Sequence, residues 1–184
     1  MSNWHFKQAT HHLKDGDIIA YPTEAVYGLG CDPFNEKAVL RLLQLKQRPW
    51  QKGLILIAAN YRQLAPFLMP LTPLLEDRVF AKWPGAVTWL LQAKQTVPHY
   101  LRGQSSKIAV RVTAHPQTRE LCRSWGSALV STSANLSGKR AAKTAFEVQR
   151  IFAQNIDYIM PGKVGGRLRP SEIRDALTNH LLRH

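Results

Sequence analysis

The chain has 184 residues, 45% of them hydrophobic and 20% charged, with 25 Lys and Arg against 12 Asp and Glu for a net charge of +13. That composition excludes a disordered or coiled-coil chain, and no apolar run reaches the ~18 residues of a membrane span. Two cysteines, Cys31 and Cys122, exclude a disulfide-built scaffold. The first twelve residues hold no apolar secretion-signal core, so a reducing cytoplasmic setting and no membrane are expected. The charge is uneven: residues 1–92 carry net +3 and residues 93–184 net +10. A field of that sign draws polyanions, so nucleotides and RNA are the ligand classes favoured over a surplus that only confers solubility.

Residues 4–14 repeat Trp4, Phe6, Ala9 and Leu13 at helical spacing, with His11 and His12 on a solvated face. A short buried strand covers 17–21, and the Gly-containing stretch 22–33 reads as a loop. Asn35 caps a helix that follows, which Pro49 stops. The apolar run 54–59 is a strand covered on both faces. Helices are expected at 60–68 and 72–83, then strands at 86–91 and 108–112 joined by a loop. Pro116 opens a helix to about residue 125. A strand at 128–132 runs into a polar loop, followed by a helix at 144–153 and a strand at 157–160. The Gly- and Arg-rich tail adds two short strand candidates, 171–176 and 180–184. The expectation is an α/β fold: one domain over residues 1–184, with a twisted, open, mixed sheet of about seven strands and flanking helices.

Several chemistries are excluded by their missing patterns. Gly138-Lys139 and Gly162-Lys163 lack the upstream glycine of a phosphate-binding loop, and Gly28-Leu29-Gly30 lacks the third glycine of a dinucleotide site. No nucleophile elbow and no zinc-spaced His or Cys pair occurs. What remains is four polar segments at strand or helix ends, where open α/β sheets place their ligands. Thr23-Glu24 follows the first strand; a hydroxyl and a carboxylate there can hold a small polar ligand or simply form a capped turn. Lys46 and Arg48 close a helix C-terminus, where cations are favoured on their own account, yet they can also clamp phosphates. Strand alternation puts Arg111 opposite Ile108, Val110 and Val112, on a face that matters only if it lines a crevice. Ser131-Thr132-Ser133-Ala134-Asn135-Leu136-Ser137-Gly138 concentrates hydroxyl and amide donors after an apolar strand.

In this order, Tyr21-Pro22-Thr23-Glu24 with Gly28-Leu29-Gly30, Lys46-Gln47-Arg48-Pro49, Ala109-Val110-Arg111-Val112 and Ser131 to Gly138 resemble the YrdC-like family over residues 17–183. The resemblance implies a twisted α/β sheet with a basic concave face and the activity of a threonylcarbamoyl-adenylate synthase. L-threonine and bicarbonate would form an N-carboxylate that attacks the α-phosphorus of ATP and expels pyrophosphate, the product serving tRNA modification through partner proteins. It assigns Lys46, Arg48, Ser133 and Asn135 to catalysis, and Thr23, Arg111, Ser131 and Ser171 to threonine. ATP would meet Lys46, Arg48, Lys52, Ser133, Asn135 and Arg183, with Mg²⁺ held mainly through ATP and no protein metal site. Lys52-Gly53-Leu54 departs from the Asn-Pro-Leu of many family members, and Glu172 and Arg174 depart from the late motif around Ser171.

A second class fits the charge: a non-catalytic RNA-binding protein acting in tRNA or ribosome maturation. Direct tRNA or double-stranded RNA contact is compatible with both classes. No RNA-recognition signature supports the second alone, since Trp4, Trp83, Trp89 and Trp125 sit at apolar positions and only Trp50 lies in a basic loop.

Overall fold

A computed structural model describes residues 3–183. In chain order the elements are α1 (Asn3–Lys14), β1 (Ile19–Pro22), β2 (Tyr27–Gly30), α2 (Glu36–Leu45), β3 (Ile55–Ala58), α3 (Pro73–Phe80), β4 (Val87–Gln92) and α4 (His99–Arg102). Then follow β5 (Lys107–Val112), α5 (Pro116–Trp125), β6 (Leu129–Ser133), α6 (Ala145–Phe152), β7 (Tyr158–Ile159), β8 (Glu172–Asp175) and β9 (Leu181–Arg183). All nine strands form one sheet in the order β7-β1-β2-β6-β3-β5-β4-β8-β9. It is mixed: β1/β7, β3/β5 and β4/β8 pair parallel and the rest antiparallel. No helix of the described residues is long and apolar enough to cross a membrane.

The registers sort the sheet into two unequal faces. Ala20, Leu29, Val130, Leu56, Val110 and Trp89 point to one side, where they meet Val39 and Leu42 of α2, Val79 of α3 and Val148 and Phe152 of α6. These six strand residues are fully or almost fully buried. On the other face Ile19, Tyr21, Leu129 and Ile57 pack under Phe6, Ala9 and Leu13 of α1 and Leu121 and Cys122 of α5. Two helices cannot span a nine-stranded sheet, so the rest of this face stays open. It carries Gly28, Ser133, Ser131, Ile55 and Arg111, which the ladder aligns across β2, β6, β3 and β5. The candidate site is this uncovered area.

The structure differs from the expectation in places that have local causes. There are nine strands rather than about seven, and the stretch read as a loop at 22–33 contains β2. Its glycines are needed because the Tyr21 ring lies across it: a Cβ on Gly28 would sit 3.3 Å from that ring, and one on Gly30 would meet the Val130 carbonyl at 2.2 Å. Tyr21 Oη reaches over β2 to donate to Val130 O at 3.3 Å. An aromatic ring thus covers the glycines of its neighbour strand, burying what bare backbone would expose. The helix expected at 60–68 is two 3₁₀ turns, Tyr61–Gln63 and Ala65–Phe67, since Pro66 cannot donate to a continuing α-helical ladder. The connection at 93–106 is not all loop but includes the single turn α4. β1 starts and ends later than 17–21. His12 is not merely solvated: its Nδ1 lies 2.8 Å from Asp17 and its ring stacks on Tyr158. Trp4 is 55% exposed, its ring edge-on to His5. Asn35 caps α2 through Ala38 N and Thr144 caps α6 through Glu147 N.

Candidate active site

The open half of the sheet forms the floor of a solvent-open cleft. Its walls come from the turn after β1, the segment after α2, the end of β6 and the residues that enter and leave the β8–β9 hairpin. Three arginines line it, Arg48, Arg111 and Arg183, and Glu24 is the only carboxylate among its lining residues.

At the floor, Arg111 extends from β5 and is 7% exposed. Its Nη2 lies 3.3 Å from Glu24 Oε2. Glu24, also buried, accepts at Oε1 from Thr113 Oγ1 (2.8 Å) and Ala114 N (3.1 Å). Burial alone would raise the Glu24 pKa, but the Arg111 charge and the hydrogen bonds from backbone and Thr113 outweigh it and lower the value. Thr23 forms the adjoining tight turn, with its Oγ1 donating to Val26 O at 2.7 Å. Ser131 and Ser133, two residues apart on β6, both face the cleft.

Lys46 and Arg48 leave α2 through a Schellman turn. Arg48 N bonds Leu43 O, Gln47 N bonds Gln44 O, and Gln47 takes φ +50° at the position usually given to glycine. This ends the helix at Leu45, before Pro49 is reached. The reversal sends the two cations to different places. Lys46, 3% exposed, is not a cleft-lining residue: its Nζ donates to Ser133 O at 2.5 Å and Asn135 O at 2.6 Å, from beneath the loop that follows β6. Burial first, and then the charge of Arg48, lower its pKa to about 8. Arg48 lines the cleft, braced by Gly53 O at 2.9 Å. Burial lowers its pKa too.

The loop after β6 is held from within as well. Ser133 Oγ donates to Asn135 Oδ1 (2.6 Å), and Asn135 Nδ2 donates to Leu136 O and Lys139 O at 2.7 and 2.8 Å. Asn135 therefore shapes the loop and does not line the cleft, and Lys52 is exposed outside it. Across the cleft, Ser171 is buried at the start of β8, its Oγ 3.0 Å from Thr88 Oγ1. Arg183 reaches back from β9 to Ser171 O at 3.4 Å. Burial lowers the Arg183 pKa, and so do the charges of Arg48 and Arg111. Glu172 and Arg174, the departures in the late motif, alternate to the opposite side of β8 and pair with each other at 2.8 Å.

Six residues singled out in the sequence thus meet in the cleft with Arg48: Thr23, Arg111, Ser131, Ser133, Ser171 and Arg183. Lys46 and Asn135 stand behind its wall, and Lys52 stands apart. Sequence reasoning named Glu24 only as one half of a polar turn, without the role of partner to Arg111, and missed Thr113 and Thr88. The signal available for Glu24 was a carboxylate directly after a buried strand in a chain poor in acids. Among the described residues no group of three His, Cys, Asp or Glu is placed to hold a metal. Cys31 and Cys122 are buried free thiols, and burial raises both pKa values.

An open mixed sheet with an arginine-lined cleft across one uncovered half-face defines an α/β protein whose site is suited to anions, and comparison with known proteins narrows it further. The Sua5/YciO/YrdC family, described as "Telomere recombination", matches residues 11–184, and the chain belongs to it. It is 52% identical to a threonylcarbamoyl-AMP synthase of Nitrosococcus oceani over 181 residues, covering 98% of each chain. It is 54% identical to a protein of the same name from Photorhabdus laumondii, covering 97% of this chain and 95% of that one. The crystal structure of P. abyssi Sua5 complexed with L-threonine superposes with a TM-score of 0.89 at 30% identity, covering 95% of this chain. This chain spans about half of that one, 52%. E. coli YciO, at 23% identity and a TM-score of 0.87, shares the fold over all of this chain and 90% of its own.

Proposed function

We propose that this chain is a threonylcarbamoyl-AMP synthase: L-threonine, bicarbonate and ATP give threonylcarbamoyl-AMP, pyrophosphate and water. The observation that carries this reading is the division of the cleft. One end has Arg111 beside Thr23 and Ser131, and the mouth has Arg48 and Arg183 without a carboxylate partner among the described ion pairs. The first end suits a hydroxy amino acid, whose carboxylate takes two parallel bonds from a guanidinium. The second suits a triphosphate, because two neighbouring guanidiniums repel each other until an anion lies between them. Ser133 lines the same cleft, and in this reading its hydroxyl meets the carbamate or the α-phosphate. No protein nucleophile is needed, since the carbamate attacks and pyrophosphate leaves. The chain's work is positioning and charge stabilisation. Lys46 and Asn135 serve that work by holding the loop that bears Ser133.

The donor set does not fit a resident metal: Glu24, the one carboxylate, is already committed to Thr113, Ala114 and Arg111. Mg²⁺ belongs in this reading to the ATP phosphates and water. We place the enzyme in the cytoplasm as one functional domain, passing its product to partner proteins that modify tRNA. The +10 charge of residues 93–184 supports direct tRNA contact as well. The test is pyrophosphate release by the purified chain. It is expected only with ATP, L-threonine and bicarbonate together, and release no greater than background under those conditions overturns the reading. Tight, salt-sensitive tRNA binding without nucleotide binding would favour a purely RNA-binding protein instead.

A further inference from the structure

We propose that Glu24 is a positioning residue for threonine recognition: its carboxylate fixes the Arg111 guanidinium that receives the amino acid's carboxylate. The inference rests on the reading of the cleft as an amino-acid and ATP site, and goes beyond it by naming what makes the amino-acid end selective.

Glu24 is an acid in a cleft otherwise lined by cations, and it would repel the threonine carboxylate and the ATP phosphates if it were free to approach them. It is not free. Thr113 Oγ1 at 2.8 Å and Ala114 N at 3.1 Å both bond Oε1, which locks the carboxylate plane and leaves Oε2 turned to Arg111. Arg111 is an otherwise flexible side chain, so a single fixed ionic partner on one edge decides where its remaining donors point. The pair is not closed on itself. Glu24 Oε2 is buried with no hydrogen-bond partner among the described residues, so the 3.3 Å ion pair uses up none of the Arg111 donors, and Arg111 lines the cleft.

The main chain of the same turn adds a second tie. Thr23 O accepts from Gly165 N at 2.9 Å and Glu24 O accepts from Arg167 N at 3.0 Å, pinning the segment that leads into Ser171. The approach is close: a Cβ at Gly165 would lie 3.0 Å from Glu24 O and 3.1 Å from Glu24 Cα, tighter than ordinary van der Waals contact. These main-chain ties hold the turn that carries Glu24 in place beneath Arg111, against the segment that leads into Ser171.

A purely structural role would lower the melting temperature and weaken both substrates alike. A positioning role acts on one. In Glu24→Gln the side-chain oxygen still accepts from Thr113 and Ala114, but an amide NH₂ replaces the oxygen that faces Arg111. Steady-state pyrophosphate release by the full chain should then show the KM for L-threonine raised roughly tenfold or more, the scale of one charge-assisted hydrogen bond, with the KM for ATP unchanged. Equal rises in both constants, or an unchanged threonine KM, overturn the inference while leaving the enzyme reading intact. A wild-type chain that releases no pyrophosphate overturns both. If Glu24→Gln does not fold, Thr113→Val decides: it removes one of the bonds that orient Oε1 and should raise the same KM by less, and no rise refutes the role.

Discussion

Lys46→Met separates a lysine that touches phosphate from one that holds a loop. The substitution keeps the length of the side chain and removes its donors and its charge. In the folded chain burial lowers the Lys46 pKa from 10.5 to about 8, so the charged form is disfavoured even with its bonds to Ser133 O and Asn135 O. Removing the ammonium lifts that penalty but leaves the two carbonyls without this partner, so the loss of stability should be only ~0–3 kcal/mol, or at most roughly 10 °C in Tm for a chain of this size. Turnover should fall much further, roughly 100-fold, because Ser133 loses its support beside the reacting groups. The sign with pH is also defined. The folded pKa lies below the unfolded one, so between about pH 8 and 10.5 the unfolded chain binds more protons. Wild-type stability should accordingly gain on the variant as pH rises through that window. Calorimetry at several pH values and pyrophosphate assays test both halves. Near-wild-type turnover in Lys46→Met, or a collapse of the fold, refutes the reasoning.

Arg48→Ala should raise the KM for ATP far more than that for threonine, by roughly 100-fold, since it removes a guanidinium fixed at the cleft by Gly53 O; substrate-dependence curves decide it. Gly30→Ala should cost ~1–3 kcal/mol or more, because its Cβ would strike the Val130 carbonyl at 2.2 Å; denaturant melts measure it. Gln47→Gly should stabilise by up to ~1 kcal/mol, since Gln47 is an exposed residue at φ +50°, and a fall in Tm would show that its side chain matters. Glu24 has a lowered pKa, so the stability its ionised form supplies is complete above its ordinary 4.5 and disappears as acid passes the lower folded value. The acid limb of the melting curve should be shallower in Glu24→Gln.

Much of the architecture was legible because burial leaves a period in the chain. The 54–59 run, the Arg111 strand and the two capped helices α2 and α6 follow from apolar spacing and cap residues. β2 was not legible, because its reason for being a strand lies elsewhere: Tyr-Gly-Leu-Gly looks like a loop until the Tyr21 ring is laid over it. The 60–68 segment misled in the opposite direction, its apolar residues reporting burial while Pro66 forbade the helix that the period suggested.

The Lys46-Gln47-Arg48 segment shows why site residues resist reading by type and spacing. In a continuing helix, positions two apart point about 200° from each other, and in a strand they share a face. Neither rule applies here, because Gln47 adopts a left-handed conformation and the chain turns back between the two cations. One ammonium is driven under the loop after β6, where its partners are carbonyls, and one guanidinium is left at the cleft, where an anion can reach it. The residue types announce positive charge in both cases. Only the turn decides that Arg48 faces the cleft while Lys46 is bound to the carbonyls of Ser133 and Asn135, and Asn135 is likewise turned inward, its amide bonded to Leu136 and Lys139. A binding motif of this kind specifies a folded loop together with the groups it presents, so substitution of the presenting and the presented residues should fail by different kinetic routes.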